Sequence, residues 1–141
     1  ENEVVEFKQG GPGFSTHDIG KYFSALTNEA NLRDRPWGWL IFGVNDKTRS
    51  VEGTDFRPEQ ERLHALKHQI AADTEPSVTF REIYELHTSG GRVIFFQIPA
   101  APRGLPIAWK GHYYAREGES LGALGMDKQD EIRRQSDSTE W

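Results

Sequence analysis

The feature that most constrains the fold of this chain is the apolar run at residues 37–44, Trp-Gly-Trp-Leu-Ile-Phe-Gly-Val. The run is short and almost free of polar residues, which is typical of a central strand buried on both faces. Its two glycines indicate a bend or a close approach of another backbone segment. We therefore predict a sheet built around this run.

The first eight residues predict a second, short strand beside it. Val4, Val5 and Phe7 supply its apolar side chains, and Glu6 and Lys8 project from one face because strand side chains alternate. If this strand neighbours the central one, Asp46, which follows the apolar run, converges with that pair. Carboxylates on adjacent strand ends can hold Mg²⁺ or Mn²⁺, and a lysine can stabilise a phosphate. A surface salt bridge is the alternative that spacing leaves open.

Two amphipathic helices are predicted to cover the sheet. Ser15 or Thr16 caps the first, and Pro58 lies near the first turn of the second. Their apolar stripes follow the helical period. The first stripe comprises Ile19, Tyr22, Phe23, Leu26 and Ala30, and the second comprises Leu63, Leu66 and Ile70.

The remaining elements are mostly strands. Residues 49–54 are predicted to return beside the central run as a hairpin, and a second hairpin turns at residues 89–91. Short strands follow at 107–109 and 112–116, and a charged helix runs from 126 to about 135. The predicted fold class is α/β (α+β): a single domain over residues 1–135, with a mixed, mostly antiparallel sheet, two main helices and a short C-terminal helix. Residues 136–141 form a frayed tail.

Composition narrows the function classes. The chain has no cysteine, which excludes disulfides and cysteine-rich zinc sites and is consistent with a cytoplasmic protein. It has no apolar run of the roughly 20 residues that a membrane span needs, so we expect no membrane partner. The net charge of -5 opposes nonspecific binding to a polyanion unless the cations are clustered. His64 and His68 are one helical turn apart and could bind a metal from one helix face, but no glutamate stands between them in the metalloprotease position.

Several short motifs occur in one order along the chain. They are Glu1-x4-Glu6-Phe7-Lys8, Ala25-Leu-Thr-Asn28, Trp39-Leu-Ile-Phe-Gly-Val-Asn-Asp46, Val51-Glu-Gly-Thr54 and Tyr114-Ala-Arg-Glu-Gly-Glu-Ser120. Together they resemble the Schlafen/Alba-like DNA-binding domain family. In bacteria that family opens larger proteins described as transcriptional regulators or divergent ATP-binding proteins, so the resemblance implies further domains in the native protein.

The resemblance also implies an acidic site. Related animal Schlafen domains are metal-dependent RNases with three carboxylates, whose positions match Glu1, Glu6 and Asp46 here, with Lys8 beside them. The implied cofactor is Mg²⁺ or Mn²⁺. Those nucleases clamp RNA between two lobes, whereas this chain has one, and a homodimer would supply the second.

We therefore expect a nucleic-acid-binding module of a larger bacterial regulator, with DNA or RNA as partner. Its phosphate contacts are predicted at Arg33, Arg35, Lys47, Arg49, Lys110 and Arg116, with Tyr114 stacking on a base. The same aromatics are also compatible with the core of a small sheet. The alternatives are a metal-dependent endoribonuclease and an oligomerisation or ligand-sensing module with an inert acidic cluster.

Overall fold

The apolar run at residues 37–44 lies at the centre of a four-stranded mixed sheet in the computed structural model, which describes residues 4–118 and 120–135. The fold class is α+β as predicted, and the predicted tail at 136–141 lies outside the described residues. Over the described ranges, no helix is long and apolar enough to cross a membrane. The elements in chain order are β1 (Val5–Lys8), α1 (Thr16–Leu32), β2 (Trp37–Phe42), α2 (Gln60–Asp73), β3 (Thr74–Glu75), β4 (Glu82–Thr88), β5 (Gly91–Pro99), β6 (Ala108–Trp109), β7 (Tyr114–Glu117), β8 (Ser120–Ala123) and α3 (Met126–Arg133).

Both hydrogen-bonding edges of β2 are occupied. β1 pairs with one edge in parallel, and β5 pairs with the other edge antiparallel. Residues 49–54 turn back beside the end of the central run, as predicted, but they do not form the predicted strand with β2, because β5 occupies that edge. An isolated bridge joins Val44 to Val51 instead. The side chain of Asn45 closes a turn there by accepting hydrogen bonds from the backbone N–H groups two and three residues later.

The later strands match the prediction in part. The hairpin that turns at residues 89–91 is confirmed as β4 and β5, which complete the sheet in the order β1-β2-β5-β4. The strands predicted at 107–109 and 112–116 exist in shortened form as β6 and β7, but they do not pair as a ladder with each other. β6 pairs with β3, and β7 pairs with β8. β3 and β8 are too short to show the alternation that predicts a strand.

α1 covers one face of the sheet, as its apolar stripe predicts. It begins after Ser15, whose side chain accepts a hydrogen bond from the backbone N–H of Asp18 at 3.0 Å. The stripe is buried against the sheet and against the apolar side of α2. Large side chains of this core that come from the sheet are Leu40, Phe42, Ile94, Phe96 and Ile98.

The opposite face of the sheet carries a second apolar cluster. Register places Phe7, Ile41, Phe95 and Tyr84 side by side across the four strands. We call this surface the open face, because its apolar cluster draws no residue from a helix within the described part of the chain. Its apolar side chains are Val5, Phe7, Trp39, Ile41, Tyr84, Leu86, Val93 and Phe95.

Gly20 provides a test of how closely α1 packs on β6. A Cβ added at Gly20 would overlap the indole of Trp109, which is 1% exposed and donates a hydrogen bond from Nε1 to His17 Nδ1 at 2.9 Å. We expect Gly20→Ala to lower the free energy of unfolding by about 1–3 kcal/mol through overpacking, despite the roughly 1 kcal/mol by which alanine favours a helix over glycine. Urea denaturation measures this change.

The control is Gly13→Ala, because a Cβ there meets no other atom within 4 Å. Its effect should stay within about 0.5 kcal/mol. Equal urea midpoints for Gly20→Ala and the unchanged protein would contradict the close packing.

Candidate functional site

A cavity of about 790 Å³ lies on the open face, at the end of the sheet where β1 and β2 end. Its floor is apolar and consists of side chains from all four strands of the sheet. Five charged residues also line it, and we call them the charged rim: Glu6, Arg33, Asp46, Arg49 and Arg116. The rim therefore combines carboxylates and guanidinium groups beside an apolar floor.

Glu6 and Lys8 project together from β1, as the spacing predicts, toward α1. The Lys8 Nζ lies 3.4 Å from the Glu6 carboxylate and 5.1 Å from the ring centroid of Tyr22. Burial disfavours the charged form of Lys8, but its interactions with Tyr22 and Glu6 outweigh burial and raise its pKa above the ordinary value. Lys8 is therefore a retained positive charge next to a buried carboxylate.

Asp46 reaches the cavity from the turn that follows β2. The predicted neighbourhood of β1 and β2 is confirmed by their parallel pairing, and Glu6 and Asp46 both line the cavity. Glu1, the third predicted carboxylate, lies outside the described residues. Among residues 4–118 and 120–135, no group of three acidic, histidine or cysteine side chains is arranged to hold a metal ion.

The carboxylate of Glu6 is already compensated by two cations. Arg116 Nη1 lies 3.0 Å from Oε1, and Lys8 Nζ lies 3.4 Å from Oε2. Mg²⁺ and Mn²⁺ favour several oxygen ligands, and Asp46 is the other carboxylate of the charged rim. The described residues alone therefore do not fit a complete divalent metal site.

Arg116 connects three elements through buried ion pairs. Its guanidinium contacts Glu6 of β1, donates to the backbone carbonyl of Val5, and contacts both carboxylate oxygens of Glu29 on α1 at 3.1 Å. The contact with Glu29 Oε1 is close but not aligned as a hydrogen bond. Glu29 also pairs with Arg33 at 3.1 Å. Arg116, predicted as a phosphate contact, thus lies 13% exposed between two carboxylates.

Two of the predicted phosphate contacts, Arg33 and Arg49, line the cavity, and a third, Lys47, lies in the same turn as Arg49. Arg33 follows the last residue of α1, and Arg49 ends the turn after β2; both line the cavity. Arg49 has a left-handed backbone conformation, with φ of 64°, and its guanidinium lies 4.5 Å from the ring centroid of Phe7. Lys47 is exposed in the same turn.

The other predicted contacts do not line the cavity. Lys110 is exposed beside the ring of Trp109, and its backbone N–H donates to the carbonyl of Asp73. Tyr114 packs against the core under α1. Arg35 is half-buried, and its Nε is buried without a hydrogen-bond partner among the described residues.

Sequence reasoning missed two parts of this site. Glu29, which holds Arg116, lies four residues before Arg33, and that i,i+4 spacing is the signal for a helical ion pair. Phe95 of the cavity floor and its neighbour Tyr84 fall on the alternating positions of β5 and β4. Alternation predicts that these side chains share one face of the sheet, but it does not predict which face the helices cover.

A family model described as Schlafen, AlbA_2 matches residues 1–124 of the chain. No curated protein shows significant sequence similarity to it.

Two solved structures are similar in fold. The DIP2311 protein from Corynebacterium diphtheriae matches over 94% of this chain with a TM-score of 0.66 and 20% identity, and this chain spans 24% of that protein's chain. The second is the N-terminal domain of a RecG-related protein from Nitrosomonas europaea, named as a candidate ATP-dependent DNA helicase. It matches over 89% of this chain and 86% of that chain, with a TM-score of 0.51 and 19% identity. At these identities the likeness establishes the fold alone.

Arg116 is the cation that Glu6 and Glu29 share, and replacing it tests this ion network. We expect Arg116→Met to lower the free energy of unfolding by about 3 kcal/mol, because Glu6 and Glu29 then lose a buried partner. Chemical denaturation measures this loss. The double variant Glu6→Gln/Arg116→Met should lose less than the sum of the two single variants, because the two side chains contact each other.

The matched control is Arg62→Met, since Arg62 pairs with Glu59 and both side chains are 62% exposed. Exposed pairs contribute about 0–1 kcal/mol. An Arg116→Met effect no larger than that of Arg62→Met would show that the network is not stabilising.

Proposed function

We propose, because this chain belongs to the Schlafen, AlbA_2 family, that it is a nucleic-acid-binding domain of a larger bacterial regulator-like protein. The family match covers most of the chain. The first similar structure is about four times as long as the aligned region, which supports a role as one domain among several.

The observation that carries this proposal is the convergence of cations at one cavity. Arg33 comes from the end of α1 and Arg49 from the turn after β2, and both line the cavity; Lys47 is exposed two residues before Arg49. Within the charged rim, Glu6 is compensated by ion pairs. Counting Asp46 as well, the rim has three arginines and two carboxylates, an excess of positive charge that supports anion binding although the chain as a whole has a net charge of -5.

Arginine suits this role because its planar guanidinium can donate two hydrogen bonds to one phosphate. Arg33 keeps half of its side chain exposed while it pairs with Glu29, and Arg49 is exposed over Phe7. We assign the phosphate contacts to Arg33, Lys47 and Arg49. Arg116 holds the site together from beneath them.

The salt dependence of binding tests this assignment. Binding to DNA or RNA should weaken linearly in a plot of log affinity against log salt. Arg33→Ala and Arg49→Ala should each reduce the slope by about 0.7–0.9, the value for one lost phosphate contact. Fluorescence anisotropy of labelled oligonucleotides measures both quantities.

Arg62→Ala is the matched control for Arg33→Ala, because it also removes an exposed arginine that pairs with a glutamate three or four residues earlier in the chain. It should leave affinity and slope unchanged. Failure to bind either nucleic acid at low ionic strength would refute the proposed function.

A second candidate function is a metal-dependent endoribonuclease. The observation that favours it is that Glu6 and Asp46 line one cavity beside Lys8. In this proposal Glu1 joins Glu6 and Asp46 as ligands, and Lys8 steadies the phosphate. A bound Mg²⁺ or Mn²⁺ would supply Lewis acidity and an activated water.

Incubation of structured RNA with Mn²⁺ separates the two functions. A nuclease should cleave the RNA, and Asp46→Asn should lower the rate by at least about tenfold through loss of a metal ligand. Asp55→Asn, at an exposed aspartate that does not line the cavity, is the control and should cleave normally. Equal cleavage by the Asp46 and Asp55 variants would remove the proposed catalytic site, and the absence of Mn²⁺-dependent cleavage would leave binding alone.

A further inference from the structure

The open face exposes apolar side chains that the core does not need. Tyr84 is 49% exposed, Leu86 is 52% exposed, and Val51 beside them is 40% exposed. Contiguous apolar exposure of this kind marks a binding surface. We propose that the open face is a stacking platform for the unpaired bases of a single-stranded nucleic acid. This inference rests on the proposed function and names the class of its ligand.

The aromatic side chains of the open face form a connected group. Trp39 lies 6.3 Å from Tyr84 and 6.5 Å from Phe95, between ring centroids. Phe7 occupies the same cross-strand row as Phe95, with Ile41 between them. Aromatic side chains on a sheet can stack with any base, because every base has a flat π-face. The platform is therefore sequence-tolerant.

Cations lie where the phosphates of such a strand would run. Arg49 contacts the ring of Phe7 and borders the apolar floor, so one side chain connects the stacking surface to the charged rim. Arg33 also lines the cavity, and Lys47 is exposed in the turn that contains Arg49. An apolar floor bordered by cations matches a ligand that has flat apolar rings on one side and phosphates on the other.

A duplex does not match this surface. Its bases face each other and are stacked inside the helix, so an apolar floor could contact only sugars and phosphates. Single strands expose their bases, which can then lie on aromatic rings. The geometry therefore favours single-stranded over double-stranded ligands.

A second copy of the chain fits the open face less well. A two-fold symmetric contact would bring the same surface from both copies together. Two concave floors facing each other would enclose a void, and voids lose packing contacts. The cations of one cavity would also approach the same cations of the second copy and repel them.

Three labelled ligands of equal length test the proposal by fluorescence anisotropy at one salt concentration. They are a single strand, the same sugar-phosphate backbone with every base removed, and a duplex. The single strand should bind at least about tenfold more tightly than the abasic backbone and the duplex, the gain expected from stacking one base or more.

Surface variants locate the bases on the open face. Tyr84→Ala and Leu86→Ala should each weaken single-strand binding by roughly threefold to tenfold and leave binding of the abasic backbone unchanged. Leu105→Ala is the matched control for Leu86→Ala, because these leucines are 50% and 52% exposed and Leu105 does not line the cavity. It should leave binding of all three ligands unchanged.

The outcomes separate this inference from the proposed function. Equal affinity for the single strand and the abasic backbone, or for the single strand and the duplex, would overturn the platform and leave nucleic-acid binding intact. Absence of binding to all three ligands would overturn both. A concentration-dependent dimer that dissociates in Leu86→Arg would show that the open face binds protein, which also overturns the platform.

Discussion

Parallel pairing between β1 and β2 is the constraint on which the rest of the structure depends. Two parallel strands need a crossover connection, and the 17-residue helix α1 supplies it. The pairing brings the C-terminal ends of both strands to the same end of the sheet, where Lys8 lies opposite Phe42. Asp46 then reaches the cavity from the turn that follows β2. Because the crossover lies over one face, it also determines which face remains open.

The crossover helix brings two carboxylates close together, and β7 places a cation between them. Packing α1 over β1 brings Glu29 toward the buried Glu6, and two buried carboxylates repel each other unless a cation lies between them. Arg116 occupies that position and contacts both. The hairpin of β7 and β8 is consequently held against α1 and β1 although it forms a separate small sheet. The Arg116 guanidinium, together with the hydrogen bond from the Tyr114 backbone N–H to Ser24 Oγ, thus holds an element that the main sheet does not pair with.

Much of the fold is predictable from local patterns, and the errors have a physical cause. The stripe of α1, the apolar run of β2 and the alternation of β4 and β5 each report burial over several residues. The predicted return strand at 49–54 failed because pairing with β2 is decided by competition between segments. β5 occupies that edge with six paired residues, and no local pattern reports such a competition.

The candidate site, like the fold, is predictable where local spacing determines it and not where distant segments meet. The shared face of Glu6 and Lys8 follows from strand geometry, so their proximity could be predicted from a spacing of two. The contact between Glu6 and Arg116 spans 110 residues along the chain, and no periodicity connects them. Arg116 therefore appeared in the sequence as one basic residue among several, and its partners depend on how α1 and β7 pack.

Ion pairing at Glu6 connects the two candidate functions. With Arg116 at 3.0 Å and Lys8 at 3.4 Å, this carboxylate adds little negative potential to the cavity, so Arg33, Arg49 and Asp46 determine how the charged rim acts on a polyanion. A metal ion at Glu6 would have to compete with both cations for the same oxygens. The raised pKa of Lys8 keeps one of those cations charged across the neutral range. Lys8 and Arg116 thus oppose a metal at Glu6, while Arg33 and Arg49 are the cations of the cavity that remain for a phosphate backbone.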